Sequence, residues 1–141
     1  MTASQNAHYK LALDFASRDF DEADPVRRAF VNVVTFLVDN QAKNLRHLTF
    51  GMLREAAKLA QEDGEILHRT IAYLTGARAN LLTIGYEYID SDSNFEHELT
   101  GEEVDLFLSG GEFCDPRTGE DVGDSANFIY VFFRPNYAAF H

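Results

Sequence analysis

The sequence predicts one α+β domain, mostly helical, with a small antiparallel sheet. Three observations lead there. The chain has 141 residues, enough to bury one core and short for two. From Val26 onward, apolar residues recur at three- and four-residue steps. Two later runs, LLTIGYEYI and NFIYVFFRP, are rich in the branched and aromatic residues that strands favour.

The elements follow in order. Residues 1–24 read as an N-terminal arm or helix, since in AHYKLALDFASR the alternation of Tyr9, Leu11, Leu13 and Phe15 competes with a helix-forming composition that we favour. Residues 25–76 read as a three-helix core. Asp24 is placed as an N-cap with Pro25 at the first helical position, and Val26, Phe30, Val33, Val34 and Leu37 form a stripe. Thr49 caps a second helix, FGMLREAAKLAQ, and the EDG turn leads into a third, EILHRTIAYLT, which Gly76 should end in the left-handed conformation. Residues 81–135 read as the sheet, interrupted by an insertion over 90–124. There Thr100 and Glu103 predict a capping box, Val104, Phe107 and Leu108 a stripe, Gly110 and Gly111 a stop, and Asp115, Pro116 and Gly119 a turn. Residues 136–141 are a tail. The last strand has apolar residues on both faces, Phe128, Tyr130 and Phe132 against Ile129, Val131 and Phe133, so either an interface or the tail should cover one of them.

Charge is unevenly placed. The net charge is −11, and residues 90–124 hold twelve acids against one base, Arg117. The remainder has eleven of each sign. Such a segment repels phosphates unless it points away from them. Cys114 is the only cysteine, so an internal disulfide is excluded and a cytoplasmic setting is expected. The N-terminus lacks a leader pattern, and the longest apolar run, from Phe30 to Val38, is broken by Asn32 and Thr35, so no membrane span is expected.

DSDSNFEHE, residues 90–98, begins like a calcium loop with Asp90, Asp92 and Asn94. Such a loop needs glycine at its sixth place and glutamate at its twelfth, where this chain has Phe95 and Gly101. A solvated acidic loop is therefore expected, with no metal and no cofactor. The histidines His8, His47, His68, His97 and His141 never stand three or four apart, and no metalloprotease, phosphate-loop or nucleophile-elbow motif occurs. Cys114 beside Asp115 makes a poor thiolate. A non-enzyme is expected.

The order of these elements, carried by LTFGMLREAAKLA, the EDG turn, EILHRTIAYLTG and the two strands, resembles the winged helix-turn-helix superfamily from about Val26 to Pro135. The resemblance implies a wing enlarged by the acidic insertion and its extra helix. For DNA, it would place Glu65, His68, Arg69 and Tyr73 near bases and Arg54, Lys58 and Arg78 near phosphates. The excess of acid argues against that use, because phosphate contacts supply most non-specific affinity. The expected function is instead a non-catalytic adaptor subunit of a nucleic-acid-processing or regulatory complex. Its protein partner would meet a patch of Glu102, Glu103, Asp105, Phe107 and Phe113. A transcription regulator using Arg54, Lys58, His68, Arg69 and Arg78 is the first alternative, and an inhibitor that mimics DNA is the second. Homo-oligomerisation is left open.

Overall fold

The computed structural model describes residues 8–43 and 45–140, and shows a mixed α+β fold with six helices and a three-stranded antiparallel sheet. The chain divides into two compact units. The described residues up to Thr83, with those from Phe133 onward, make the first, and Ile84–Phe132 make the second.

The first unit is helical. Helix α1 spans His8–Asp19 and buries Ala12 and Ala16, so composition outweighs the short alternation there. Asp24 caps α2, Pro25–Asp39, by accepting the Val26 N–H at 2.9 Å, and Pro25 stands at the start, where a missing N–H costs nothing. The buried stripe is the expected one, Val26, Phe30, Val33, Val34 and Leu37, joined by Ala29. Thr49 caps α3 by accepting the Met52 N–H. Helix α3 spans only Phe50–Ala56 rather than reaching Gln61. Lys58 stops it by turning left-handed, at φ 60°, and lets the Leu59 N–H reach the Arg54 carbonyl. Asn32, on α2, donates to the carbonyl of the buried Ala57. The residue that interrupts the apolar run thus closes the neighbouring helix.

Helix α4, Gly64–Thr75, buries Leu67, Thr70, Ile71 and Leu74 against α2. It does not end as expected. Gly76 is extended, at φ −73° and ψ 167°, and Asn80 is the residue that turns left-handed, its N–H returning to the Gly76 carbonyl. Glycine still matters at 76, because a Cβ would lie 3.0 Å from the Ala72 carbonyl oxygen. The unit is completed by a two-residue bridge, Leu48 with Phe133, and by α6, Tyr137–Phe140. In the tail, Phe140 is buried against α1, stacked on Tyr9.

The sheet has the order β2-β1-β3, with β1 Leu82–Asp90, β2 Phe95–Glu98 and β3 Ile129–Pro135. Strand β2 corrects the expectation of a loop through 90–98. FEHE alternates, and its charges hid a period of two from a search for apolar runs. The second unit contains its own core of Tyr88, Leu99, Phe113 and Ile129, with Phe95, Val104, Phe107 and Val122 packed around it. Helix α5, Gly101–Gly110, lies within it, opened by the predicted capping box and closed by Gly111 at φ 71°. Its stripe is narrower than expected: Val104 and Phe107 pack inward, whereas Leu108 is 61% exposed.

Gly85 is required by a close approach. The ring of Phe132, 2% exposed, occupies the space that a Cβ at 85 would fill. Because that ring is packed, it cannot swing away freely. Gly85→Ala should therefore destabilise the protein by about 1–3 kcal/mol, the usual cost of overpacking, read as a lower urea midpoint.

Candidate functional site

The acidic unit must hold many carboxylates close together, and Arg117 is how it does so. The chain turns at Asp115 to Gly119, with the Gly119 N–H donating to the Asp115 carbonyl and Cys114 bridging Asp121. That turn presents Arg117 to Asp115 through Nε at 3.1 Å and Nη2 at 2.9 Å, a two-pronged pairing. Nη2 also donates to Asp90 at 2.9 Å, and Nη1 to the Ser93 hydroxyl at 2.8 Å. The guanidinium lies 4.1 Å above the Phe95 ring. One side chain thereby ties the β1–β2 turn to the hairpin. Its hydrogen bonds hold the Asp115 and Asp90 carboxyls below their usual range, and the two carboxylates hold the guanidinium charged. The apparent calcium ligand Asp90 is thus occupied by Arg117, Ser93 and the Asp92 N–H. Among the described residues, no group of three or more His, Cys, Asp or Glu is placed to hold a metal.

The expected contact patch separates. Glu102 and Asp105 lie exposed on α5, beside Leu106, which is 58% exposed. Glu103 is turned inward. Its Oε1 accepts the Thr100 N–H at 2.9 Å and the His97 ring Nε2–H at 2.8 Å. Partial burial works against its ionisation, but the Thr100 and His97 hydrogen bonds outweigh it and keep the carboxyl low. Phe113, 3% exposed, is a core residue and not a contact, and Phe107 packs beside it.

A different surface emerges from the register of the sheet. Tyr88 stands opposite His97, and Asp90 opposite Phe95, on the side that carries the core. The alternate pairs, Glu87 with Glu98 and Ile89 with Glu96, therefore point to the other side. Ile129 is in the core, so Tyr130, the next residue of the strand, points to that outer side and is 50% exposed, while Phe128, just before the strand, is 42% exposed. The outer face of the sheet carries Tyr130, Ile89 and three glutamates, with Phe128 exposed at the start of β3. Apolar residues on both sides of NFIYVFFRP gave the sequence signal for it. What was missing was β2, which supplies Glu96 and Glu98.

The alternative DNA residues are on the first unit. Arg69 pairs with Asp24 at 2.9 Å, and Arg78 pairs with Asp19 and lies 4.3 Å above the Phe15 ring. Tyr73 packs edge-on to Phe20 and Phe30 and donates to Asp19. Burial and that carboxylate push its hydroxyl up to about 12. His68 and Lys58 are exposed, and Arg54 is half-buried. No helix among the described residues is long and apolar enough to cross a membrane. No protein-family model, curated protein or solved structure matches this chain.

The Arg117 hub should be visible in hydrogen exchange. Arg117→Gln should speed exchange of the Gly119 and Val122 amides severalfold, while amides of α2 and α4 keep their protection. The pH dependence has a definite sign. Asp90, Asp115 and Glu103 have carboxyls lowered from ordinary values of 3.8, 3.8 and 4.5. The stability they contribute is complete above those values and is lost as pH falls through the lowered, folded-state ones. Acid titration followed by circular dichroism should show that loss, and in Arg117→Gln the Asp90 and Asp115 part should be reduced to what the Ser93 hydroxyl and the Asp92 and residue-117 backbone N–H groups retain. Thr100→Ala should cost about 1 kcal/mol through the lost cap, measured by urea denaturation.

Proposed function

We propose that the chain is a non-catalytic adaptor of winged-helix type, docking a basic segment of a protein partner on the outer face of its sheet. The winged-helix reading is supported by the order α2, Leu48, α3, α4, β1, β3. Leu48 bridges Phe133 where such folds carry a short first strand, and the segment between β1 and β3 takes the place of the wing. The observation that carries the docking reading is the strip of Phe128, Tyr130 and Ile89 beside Glu87, Glu96 and Glu98. Aromatic rings supply area at little entropic cost, and neighbouring carboxylates select arginine or lysine.

The same structure disfavours DNA as the direct ligand. Arg69 and Arg78 are committed to Asp24 and Asp19, and freeing them for phosphates would leave those carboxylates unpaired.

The test compares two surfaces of the second unit. With the partner co-purified from the native host, Glu96→Lys combined with Tyr130→Ala should abolish the association, whereas Glu102→Lys with Asp105→Lys should leave it within about twofold. The reverse pattern would move the contact to α5. Salt-sensitive binding of a mixed-sequence DNA duplex by the protein alone, lost in Arg69→Glu, would replace the adaptor by a regulator.

A further inference from the structure

The first unit holds a cleft of about 590 Å³ between the start of α2, the residues just past the end of α3 and the first turn of α4. That is within the range of small-molecule sites. Ala29, buried on α2, and the half-buried Leu59 and Ile66 give it an apolar floor. Its charged groups are of both signs. Arg28 and Lys58 are the cations, and Glu22, Asp24 and Asp63 are the carboxylates.

Local structure decides which of these charges face the cleft. Asp24 stands one turn before Arg28, yet both its oxygens are engaged: Oδ1 accepts the Val26 N–H and Oδ2 the Arg69 guanidinium, each at 2.9 Å. Asp63 gives only Oδ2 to a backbone donor, the Ala60 N–H at 2.9 Å. The two cations are gathered together. Asn32, one turn beyond Arg28 on α2, donates to the Ala57 carbonyl at 3.1 Å, and that bond holds the next residue, Lys58, beside the same helix. Glu22 precedes the helix, with Pro25 between it and Arg28 along the chain. With Asp24 committed to Arg69, the charges that balance across the cleft are Arg28 and Lys58 against Glu22 and Asp63. Lys58 adds a second argument. Its φ of 60° is a conformation that glycine or asparagine adopts more cheaply. Such strain is kept where the side chain has a use, and here it brings an ammonium to the cleft.

We infer that this cleft binds a free amino acid with an apolar side chain, in its zwitterionic form. The carboxylate would meet Arg28 and Lys58, the ammonium Glu22 and Asp63, and the side chain would lie on Ala29, Leu59 and Ile66. Charge-assisted hydrogen bonds form at both ends only when the ligand carries both charges. A simple acid or a simple amine would leave two protein groups of one sign facing it without a counter-charge, which is how the cleft discriminates. The site stands apart from the adaptor reading, and either can fail without the other.

The experiment is a titration of the whole protein, labelled for amide NMR, with millimolar L-leucine, L-methionine and L-phenylalanine at neutral pH. The amide and the N-acetyl derivative of each, which keep one of the two charges apiece, serve for comparison. Saturable shifts of the Lys58, Leu59 and Asp63 amides with at least one of the three amino acids are expected. Both derivatives of that amino acid should bind at least about tenfold more weakly, as loss of charge-assisted hydrogen bonds requires. Lys58→Gly suits the left-handed backbone and so keeps the fold, and should weaken binding at least about threefold through the lost ammonium. Glu22→Gln, on an exposed side chain, should weaken it by a similar factor. The inference is overturned by the absence of saturable shifts with all three amino acids, by shifts confined to other residues, or by unchanged affinity in either variant. Equal affinity for the amide would reduce the site to one for cations, and equal affinity for the N-acetyl derivative to one for anions; both also overturn it.

Discussion

Twelve carboxylates within 35 residues repel one another, and a compact fold over 90–124 exists only where that repulsion is answered. Arg117, the single base of the segment, answers it where the chain folds back most closely. It joins Asp90, Ser93 and Asp115 and covers Phe95, a ring packed on the core of the unit. The other carboxylates are handled by geometry. Glu103 is folded into a helix cap and against His97, and Glu102 begins α5, where the helix dipole favours negative charge. What is left exposed includes Glu96 on β2 and Glu102 and Asp105 on α5, charge that solvent or a partner must meet.

The first unit solves the opposite problem, an even balance of signs, by using acids twice. Asp24 caps α2 with one oxygen and takes Arg69 with the other. Asp19 receives both Arg78 and the hydroxyl of Tyr73. These pairs are partly exposed and add little stability individually. Their effect is on availability, since a guanidinium already engaged is a poor phosphate ligand.

Capping chemistry was the most legible part of the sequence. Asp24 with Pro25, Thr49, and Thr100 with Glu103 all start helices where local residues said they would, because a cap is a short-range device. Helix ends were less legible. Lys58 takes a left-handed conformation that no glycine announces, and Gly76 is needed for closeness to Ala72 rather than for its φ. Strand β2 and the burial of Phe113 were missed for a related reason. Strand β2 depends on pairing with β1, and the burial of Phe113 on packing against Tyr88, contacts that lie outside the few residues of a cap. The candidate surface inherited that limit: α5 was readable as acidic, whereas the outer strip is assembled from three strands.

The boundary between the two units falls on β1 and β3, and at it Gly85 and Phe132 lie side by side. An inserted segment whose two ends meet has a low cost of closure, and its length adds to that cost only slowly. Ile84–Phe132 is therefore a cassette between β1 and β3: its ends, where Gly85 and Phe132 meet, must be adjacent, and closure asks nothing of the charge of what lies between them. Such a cassette can diverge quickly under selection for a new partner, while the helices that carry Phe30 and Leu74 remain under the slower constraint of packing.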